Sequence, residues 1–283
     1  MMRIVVNNFA TISNLELNLD KNLFVVIGAQ ASGKSTVAKL IYFCRKIKDY
    51  TLEFLINPKN FSVVHPNEYY SYFLKHIRKK FMGCFGTTKH MRQFKIEFFY
   101  NLDEYGNFNA HAEKLSLFLD KSGYVRVAFS KDISEQIKYL LKAAAELFIQ
   151  NHANPNFSIG SLFSDLKIRQ IVKDHFSSAV SAIFFDSDEI LYIPAGRSIL
   201  ATLSEQLHEL NLSTMDLPLQ EFVNLIQTTK TTFGSRIPDV ISNYTKTVDG
   251  QIKNLDVEMA YSLVRQILRG DYVNESDGER LYY

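Results

Sequence analysis

The sequence lacks the residue patterns on which several classes of protein depend. Its two cysteines, Cys44 and Cys84, form no Cys-x-x-Cys pair, and such sparse usage is typical of a reducing cytosol. Its seven histidines show no His-x-x-x-His or His-Glu-x-x-His spacing, which argues against a metal site built from side chains alone. No Gly-x-Ser-x-Gly occurs either, so the nucleophile elbow of the α/β-hydrolases is excluded.

Long apolar runs are also missing. No run approaches the roughly 20 residues that a membrane span requires, and polar residues interrupt the N-terminal stretch MMRIVVNNFATISNLELNL, which is therefore not a signal peptide. We expect a soluble, cytoplasmic protein without a membrane partner. With 46% hydrophobic and 22% charged residues the chain of 283 residues is typical of a globular protein, and its net charge of +2 neither requires nor excludes nucleic acid.

The most specific motif lies in residues 24–43, which read FVVIGAQASGKSTVAKLIYF. Residues 28–35 match Gly-x-x-x-x-Gly-Lys-[Ser/Thr], the phosphate-binding loop of nucleotide-binding proteins. The pattern predicts a central strand, buried on both faces, at Leu23–Ile27 before the loop and a helix from Lys34 to about Lys48 after it. The nucleotide-binding residues predicted from the motif are Gly28, Ala29, Ala31, Ser32, Gly33, Lys34, Ser35 and Thr36.

Each residue type has a chemical reason at its position in this loop. Gly28 and Gly33 permit backbone conformations and a close approach that a Cβ atom would prevent. Backbone N–H groups around residues 31–36, together with the positive end of the following helix, attract phosphate groups. Lys34 supplies a positive charge to the β- and γ-phosphates, and Ser35 offers its hydroxyl to Mg²⁺. The predicted ligands are therefore ATP and Mg²⁺.

The remaining pattern predicts a β-rich part followed by a helical part. Strands are expected at Arg3–Asn7 and Leu15–Leu19, and an antiparallel meander over residues 93–130. Helices are expected at 67–83, 132–153, 165–182, 197–210, 216–231 and 255–269, before a final hairpin. We expect a P-loop lobe over residues 1–130, with a helical excursion over about 49–92, and a helical insertion or arm over residues 131–283.

The order of these features resembles that of the SMC/RecF/OLD-like ATPases of the ABC superfamily. In this chain RIVVNNFATISNLELNL precedes NLFVVIGAQASGKST, and members of that group begin with a strand, Asn-Phe, a short turn and a second strand before the P-loop. Asn8 and Phe9 match, whereas Gln30 and Ala31 stand where Asn-Gly is commoner. The resemblance implies that residues 9–13 line the adenine pocket, although Phe9 is equally suited to a core.

The resemblance implies a fold and an activity. The fold is α/β, a P-loop NTPase lobe of ABC/SMC type with a β-rich subdomain and a helical insertion. The implied activity is ATP hydrolysis by two heads that engage across ATP, as a homodimer or higher oligomer, in DNA maintenance or anti-phage defence. DNA and an effector protein are the implied partners.

Two further stretches add to the resemblance. LYIPAGRSIL, residues 191–200, is similar to an Ile-Pro-Ala-x-Arg segment of related bacterial proteins and implies that Arg197 contacts phosphate or a partner subunit. The alternative is a helix N-terminus with Arg197 in a solvated ion pair. ILRGDYVNESDGERLYY, residues 267–283, looks like the stretch that precedes the signature segment, so we expect the signature, the Walker B strand and the rest of a second lobe to lie outside this chain.

An internal Walker B strand has one candidate. Ala182–Phe185 is a small or apolar run followed by Asp186, with Glu189 nearby, although Ser187 occupies the usual Glu position. The alternative is a hairpin in which AIFF and EILYIP are strands around a polar turn. Asp186, Glu189 and Arg197 are thus the weak candidates for catalytic residues.

Two other functions remain open at this point. If Asp186 binds magnesium, the chain is a self-contained P-loop NTPase or kinase. The other alternative is a nucleotide-gated binding module without turnover, in which ATP only switches an interaction. Separately, the basic run KHIRKKF at residues 75–81 indicates either a contact with nucleic acid or a solvated helix face.

Overall fold

The fold of the chain is given by a computed structural model. It describes residues 2–21, 23–62, 65–88, 91–101, 113–152, 161–195, 215–232, 271–275 and 278–282. The strands are β1 (Arg3–Phe9), β2 (Ile12–Asn18), β3 (Lys95–Asn101), β4 (Glu113–Leu119), β5 (Val125–Phe129), β6 (Asp271–Glu275) and β7 (Gly278–Tyr282). The helices are α1 (Lys34–Leu55), α2 (Lys59–Ser62), α3 (Tyr69–Phe85), α4 (Lys131–His152), α5 (Ser161–Ile183) and α6 (Leu217–Thr232), with a 3₁₀ turn at Pro66–Glu68.

A five-stranded antiparallel sheet, in the order β2-β1-β3-β4-β5, forms the centre of the larger part of the molecule. Strand β1 pairs with β2 across a tight hairpin and with β3 on its other side, so that Ile4 lies opposite both Leu17 and Phe98. The predicted N-terminal hairpin and the predicted meander are both confirmed. Because side chains alternate along a strand, Ile4 and Val6 share one fully buried face.

Helices cover that buried face of the sheet. The shared core contains Leu40 and Phe43 of α1, Ile77 and Phe81 of α3, and residues of α4 and α5 as well. Aromatic rings fill much of it: Phe9 of β1 lies 5.8 Å from Phe81 and 4.9 Å from Phe94 between ring centroids. The apolar spacing that predicted helices after residues 34, 67, 132 and 165 is confirmed by α1, α3, α4 and α5.

The chain divides into two compact units. The first contains Met1–Ala195 and Asp216–Pro218, and the second contains Gly196–Met215 and Leu219–Tyr283. In the second unit, α6 buries Val223 among Leu219, Phe222 and Ile226. Strands β6 and β7 pair as an antiparallel hairpin there, which confirms the hairpin predicted at the end of the sequence. The architecture is thus mixed α/β with an antiparallel sheet.

The strand predicted directly before the P-loop is wrong. Leu23–Ile27 has no regular secondary structure, and its side chains are exposed, Leu23 at 77%, Val25 at 74% and Ile27 at 89%. The prediction rested on an unbroken apolar run, which indicates a central strand only when neighbouring strands exist to cover it. The five strands of the described sheet lie elsewhere in the chain.

The predictions for residues 182–195 are also wrong. Ala182 and Ile183 are the last residues of helix α5, and the chain from Asp186 to Ala195 contains no strand. Neither a Walker B strand nor the alternative hairpin is therefore present at these positions. The apolar run AIFF is too short for its periodicity to separate a strand from the end of a buried helix.

Some predicted features lie outside the described residues. They include Arg197 and the helices expected at 197–210 and 255–269. None of the helices that the structure describes is long and apolar enough to cross a membrane.

Candidate functional site

The P-loop motif forms an exposed turn that ends in helix α1. Gly33 stands at the N-cap with a φ of 94°, and Ala31 also has a positive φ of 59°. A Cβ atom on Gly33 would lie 2.8 Å from Oγ1 of Thr11 and 3.1 Å from Cγ1 of Ile12. Both the left-handed backbone and the close approach of the β1–β2 hairpin therefore require glycine at this position.

Lys34 points back into the loop that precedes it. Its Nζ donates hydrogen bonds to the carbonyl oxygens of Gly28, at 2.7 Å, and Ala29, at 2.5 Å. Oγ of Ser32 lies 3.5 Å from the same nitrogen. The loop thus curls around the ammonium group and concentrates positive charge beside the N-terminus of α1.

Helix α1 presents its N-terminus to the same space. The first N–H groups of a helix have no partner within it, and Gly33 offers no side chain to cap them. The first intrahelical bond runs from N of Val37 to the carbonyl oxygen of Gly33, at 2.9 Å. No acidic residue occupies the first turn, so the positive end of the 22-residue helix is not neutralised there.

The turn between β1 and β2 forms the other wall beside Gly33. Asn8 and Ala10 both adopt positive φ values, 55° and 52°, which bring Thr11 against the end of the loop. Ala10 and Thr11 are exposed, whereas Phe9 is fully buried among the rings of α3 and Phe94. Of the two roles considered for Phe9, the structure shows the core role. The exposed turn residues remain available to a ligand in the loop.

Asp186 lies far from Ser35, the predicted magnesium ligand. Its side chain is 1% exposed and accepts bonds from Arg45 Nε at 2.8 Å and Arg45 Nη2 at 2.9 Å. Lys48 Nζ donates to it at 3.2 Å. Arg45 follows Ser35 by ten residues on α1, a rise of about 15 Å along the helix axis. The structure therefore does not bring Asp186 to the P-loop.

The charge of Asp186 is stabilised by these cations. Burial raises the pKa of its carboxyl group, but the hydrogen bonds and positive charges of Arg45 and Lys48 outweigh burial and leave the pKa below its ordinary value. Lys48 also donates to the backbone carbonyl of Asp188. This cluster ties the chain after α5 to the middle of α1, which is a structural role.

The structure describes one of the two other catalytic candidates. Glu189 is exposed and follows the Asp186 cluster, and Arg197 lies outside the described residues. Among the described residues, no group of three or more His, Cys, Asp or Glu side chains is arranged to hold a metal ion. In the described loop, the side-chain oxygen that the motif assigns to Mg²⁺ is the hydroxyl of Ser35.

Sequence reasoning missed Arg45 and Lys48. The sequence held part of the information, because the two residues stand three apart on a helix whose apolar spacing marks a buried side. In the structure the side of Lys48 is indeed buried, and the residue is only 5% exposed. A buried cation requires an anionic partner. The identity of that partner, about 140 residues later in the chain, could not be predicted without the fold.

Comparison of the chain with protein-family models, with curated proteins and with solved structures gives no match.

The geometry of the loop can be compared with what the predicted ligand, ATP, needs. A left-handed glycine, an inward-facing lysine and an uncapped helix N-terminus are the groups that a polyphosphate needs. The residues present fit the phosphates of ATP, with the hydroxyl of Ser35 as a ligand for Mg²⁺. The carboxylates that hydrolysis of ATP requires are not among the described residues of this site.

Proposed function

We propose that the chain is the ATP-binding part of an ATPase resembling the SMC/RecF/OLD-like group of the ABC superfamily. The observation that carries this proposal is the turn at Gly33, where the loop closes around Lys34 and opens into α1. In the proposed complex Lys34 and the N–H groups of the first helical turn hold the phosphates, and Ser35 holds Mg²⁺. ATP would supply a phosphoanhydride whose cleavage is strongly favourable.

The surroundings of the loop support a site that is completed by residues from another stretch of polypeptide. The five residues directly before it, Leu23–Ile27, expose apolar side chains to solvent. Exposed apolar patches of this kind mark places where another part of the protein or a partner packs. Together with the distance of Asp186 from Ser35, this favours a head that is completed by further polypeptide. Two heads engaging across ATP, in DNA maintenance or anti-phage defence, follow from the resemblance.

The binding test compares Lys34→Ala with the parent chain by titration calorimetry, using ATP with Mg²⁺ and ATP with a chelator. Loss of one charged contact to phosphate costs about 1.5–3 kcal/mol, so we expect the affinity for ATP to fall at least about tenfold. Lys46→Ala removes the same charge from the same helix, where Lys46 pairs with Asp49, and serves as the matched control. Equal affinities for the two variants would rule out the proposed site.

A nucleotide-gated binding module is the second candidate function. It is favoured by one observation, that the carboxylate of Asp186 is held by Arg45 and Lys48 away from the loop. The distinguishing measurement is phosphate release by the purified chain at saturating ATP. Steady release that Lys34→Ala abolishes would exclude a pure switch, whereas binding without release would favour it.

A further inference from the structure

Positive charge is concentrated in one segment of an otherwise balanced chain. Residues 69–96 contain seven lysines and arginines and no aspartate or glutamate, although the whole chain has 32 basic and 30 acidic residues. Helix α3 occupies most of this segment. Its inner side packs on the core through Phe73, Ile77 and Phe81, so its charged side chains lie on the remaining sides.

Two arginines lie close to one aromatic ring beside this helix. The guanidinium carbon of Arg78, on α3, is 3.6 Å from the ring centroid of Tyr124, and that of Arg126, on β5, is 5.0 Å from it. Tyr124 remains 39% exposed. The helix and the edge of the sheet thus meet in a cationic surface with an exposed aromatic ring.

Asp120 holds the turn that presents Tyr124. Its carboxylate accepts bonds from the backbone N–H groups of Ser122 and Tyr124, both at 2.9 Å, and from Nε of Arg126 at 2.7 Å. Four bonds from one short turn, including one from the Ser122 hydroxyl, fix its shape. Asp120 therefore acts as a scaffold, and Arg126 is positioned by it.

Exposed lysines extend this surface on both sides. Lys75 and Lys79 stand one turn apart on the outward side of α3, and Lys121 is exposed in the turn before Tyr124. Lys80 lies on the other side of the helix, where it pairs with Glu53 at 2.7 Å. The cationic surface is defined here by six residues: Lys75, Arg78, Lys79, Lys121, Tyr124 and Arg126.

The surface is separate from the P-loop. Helices α1 and α3 run side by side, with Phe43 near Phe81 and Phe54 near Phe73. The middle of α3 therefore lies beside residues 47–50 of α1, which are about 20 Å along the helix axis from Lys34. The cations of this surface are too distant to bind the phosphates of a nucleotide held in the loop.

We propose that the cationic surface binds the phosphate backbone of a nucleic acid. Five cations lie on a helix, a turn and the strand that follows it, and Asp120 is the single carboxylate in the described contacts of this surface. Such an arrangement suits an extended row of phosphates. Tyr124, which remains 39% exposed beside these cations, adds an aromatic ring that a base or sugar can contact. The contacts are to backbone phosphate, so binding is independent of sequence and falls steeply with salt.

The test measures fluorescence anisotropy of a labelled 20-base-pair DNA duplex of arbitrary sequence, without nucleotide, over a series of salt concentrations. The variant Lys75→Ala/Lys79→Ala/Lys121→Ala removes three exposed cations. We expect its affinity to fall at least about tenfold at low salt, and the dependence of log K on log salt to become shallower by about 2–3. All three side chains are exposed, so the fold should be retained, which circular dichroism checks.

The matched control is Lys21→Ala/Lys59→Ala/Lys173→Ala, which removes the same charge from exposed positions outside the surface. It should bind DNA within about twofold of the parent chain. Equal losses in the two variants would show an effect of net charge alone and overturn the proposal. The proposal is also wrong if the parent chain binds anionic phospholipid vesicles through these lysines but does not bind DNA. Retention of DNA binding by Lys34→Ala would separate this surface from the nucleotide site.

Discussion

At the scale of single residues, the two glycines of the loop have different requirements. Gly33 combines a φ of 94° with a hypothetical Cβ 2.8 Å from Thr11 and 3.1 Å from Ile12. At Gly28 the contact of a Cβ would be with Oγ of Ser32, also at 2.8 Å, which is the end of a side chain that can rotate. The backbone of Gly28 is not in the left-handed region. The motif has glycine at both positions, but only at Gly33 does the backbone conformation itself require glycine.

We therefore expect Gly33→Ala to be far more damaging than Gly28→Ala. The strained backbone and the clash with the hairpin should lower the free energy of unfolding by about 1–3 kcal/mol and abolish tight ATP binding. Gly28→Ala should lower the free energy of unfolding by less than about 1 kcal/mol, because Ser32 can turn away. Urea unfolding and calorimetric titration check both variants, and similar losses in the two would contradict this account of the loop.

The motif predicts nucleotide-binding residues one by one, because it is local and has fixed spacing, and their binding of ATP stays a prediction. It did not predict what surrounds the loop. That Thr11 closes against Gly33 depends on two left-handed residues, Asn8 and Ala10, in the β1–β2 turn. Neither residue type signals a positive φ as strongly as glycine does. The partners of Asp186, Arg45 and Lys48, are likewise distant in the sequence, and a local sequence pattern cannot predict such pairs.

At the scale of elements, the sequence predicted secondary structure correctly where apolar residues recur with a regular period and wrongly where an apolar run has no period. Alternation and helical spacing located β1 and β2, the meander and the helices of the core. The runs Leu23–Ile27 and Ala182–Phe185 are uniformly apolar and carry no period. The first is exposed without regular structure and the second ends a helix, because a uniformly apolar run has no period that separates a strand from a helix or a loop.

The contact between α1 and the chain after α5 depends on the Asp186 ion pairs. We expect Asp186→Asn to lower the free energy of unfolding by about 3 kcal/mol, because Lys48, with a side chain 6% exposed, and Arg45 lose their anionic partner. Asp188→Asn is the matched control, since that side chain is 77% exposed and should cost less than about 0.5 kcal/mol. Urea unfolding measures both values.

The same variant separates structure from catalysis. If Asp186 serves only the fold, the folded Asp186→Asn protein should bind ATP with Mg²⁺ as tightly as the parent chain does. A loss of magnesium-dependent affinity with unchanged stability would contradict the structural role and restore Asp186 as a magnesium ligand. Calorimetric titration well below the unfolding temperature makes this comparison.

At the scale of the whole molecule, stability should depend on pH through a half-buried histidine. Burial lowers the pKa of His76 from its ordinary value of 6.5 to about 4; the charge of Glu53 opposes this shift, and those of Lys80 and Lys79 add to it. Its ring packs edge-on against Phe54, 5.3 Å between centroids. The folded protein therefore keeps His76 neutral at a pH where the unfolded chain binds a proton.

The sign of the effect follows from this difference in proton binding. Stability from His76 is complete above pH 6.5 and is lost as the pH falls from 6.5 toward 4. His76→Gln cannot be protonated, so the free energy of unfolding should fall less between pH 7 and pH 5, by on the order of 1 kcal/mol. His175→Gln, at an exposed position of α5, is the control. If the free energy of unfolding depends on pH identically in the parent chain and in His76→Gln, then His76 is not the source of the effect.

The salt bridge of Arg45 has a mechanical consequence. Helix α1 is a continuous rod of 22 residues, with the phosphate loop at one end and Arg45 halfway along it. Because the helix is continuous between them, the phosphate loop and the Asp186 cluster lie on one element, with Arg45 about 15 Å from Ser35 along its axis. Beyond Asp186 the chain passes through Tyr192, whose ring lies 5.5 Å from that of Tyr42 on the same helix. The segment from Asp186 to Pro194 is thus attached to α1 at two points, Arg45 and Tyr42, and these contacts set its position on the helix that begins at the loop.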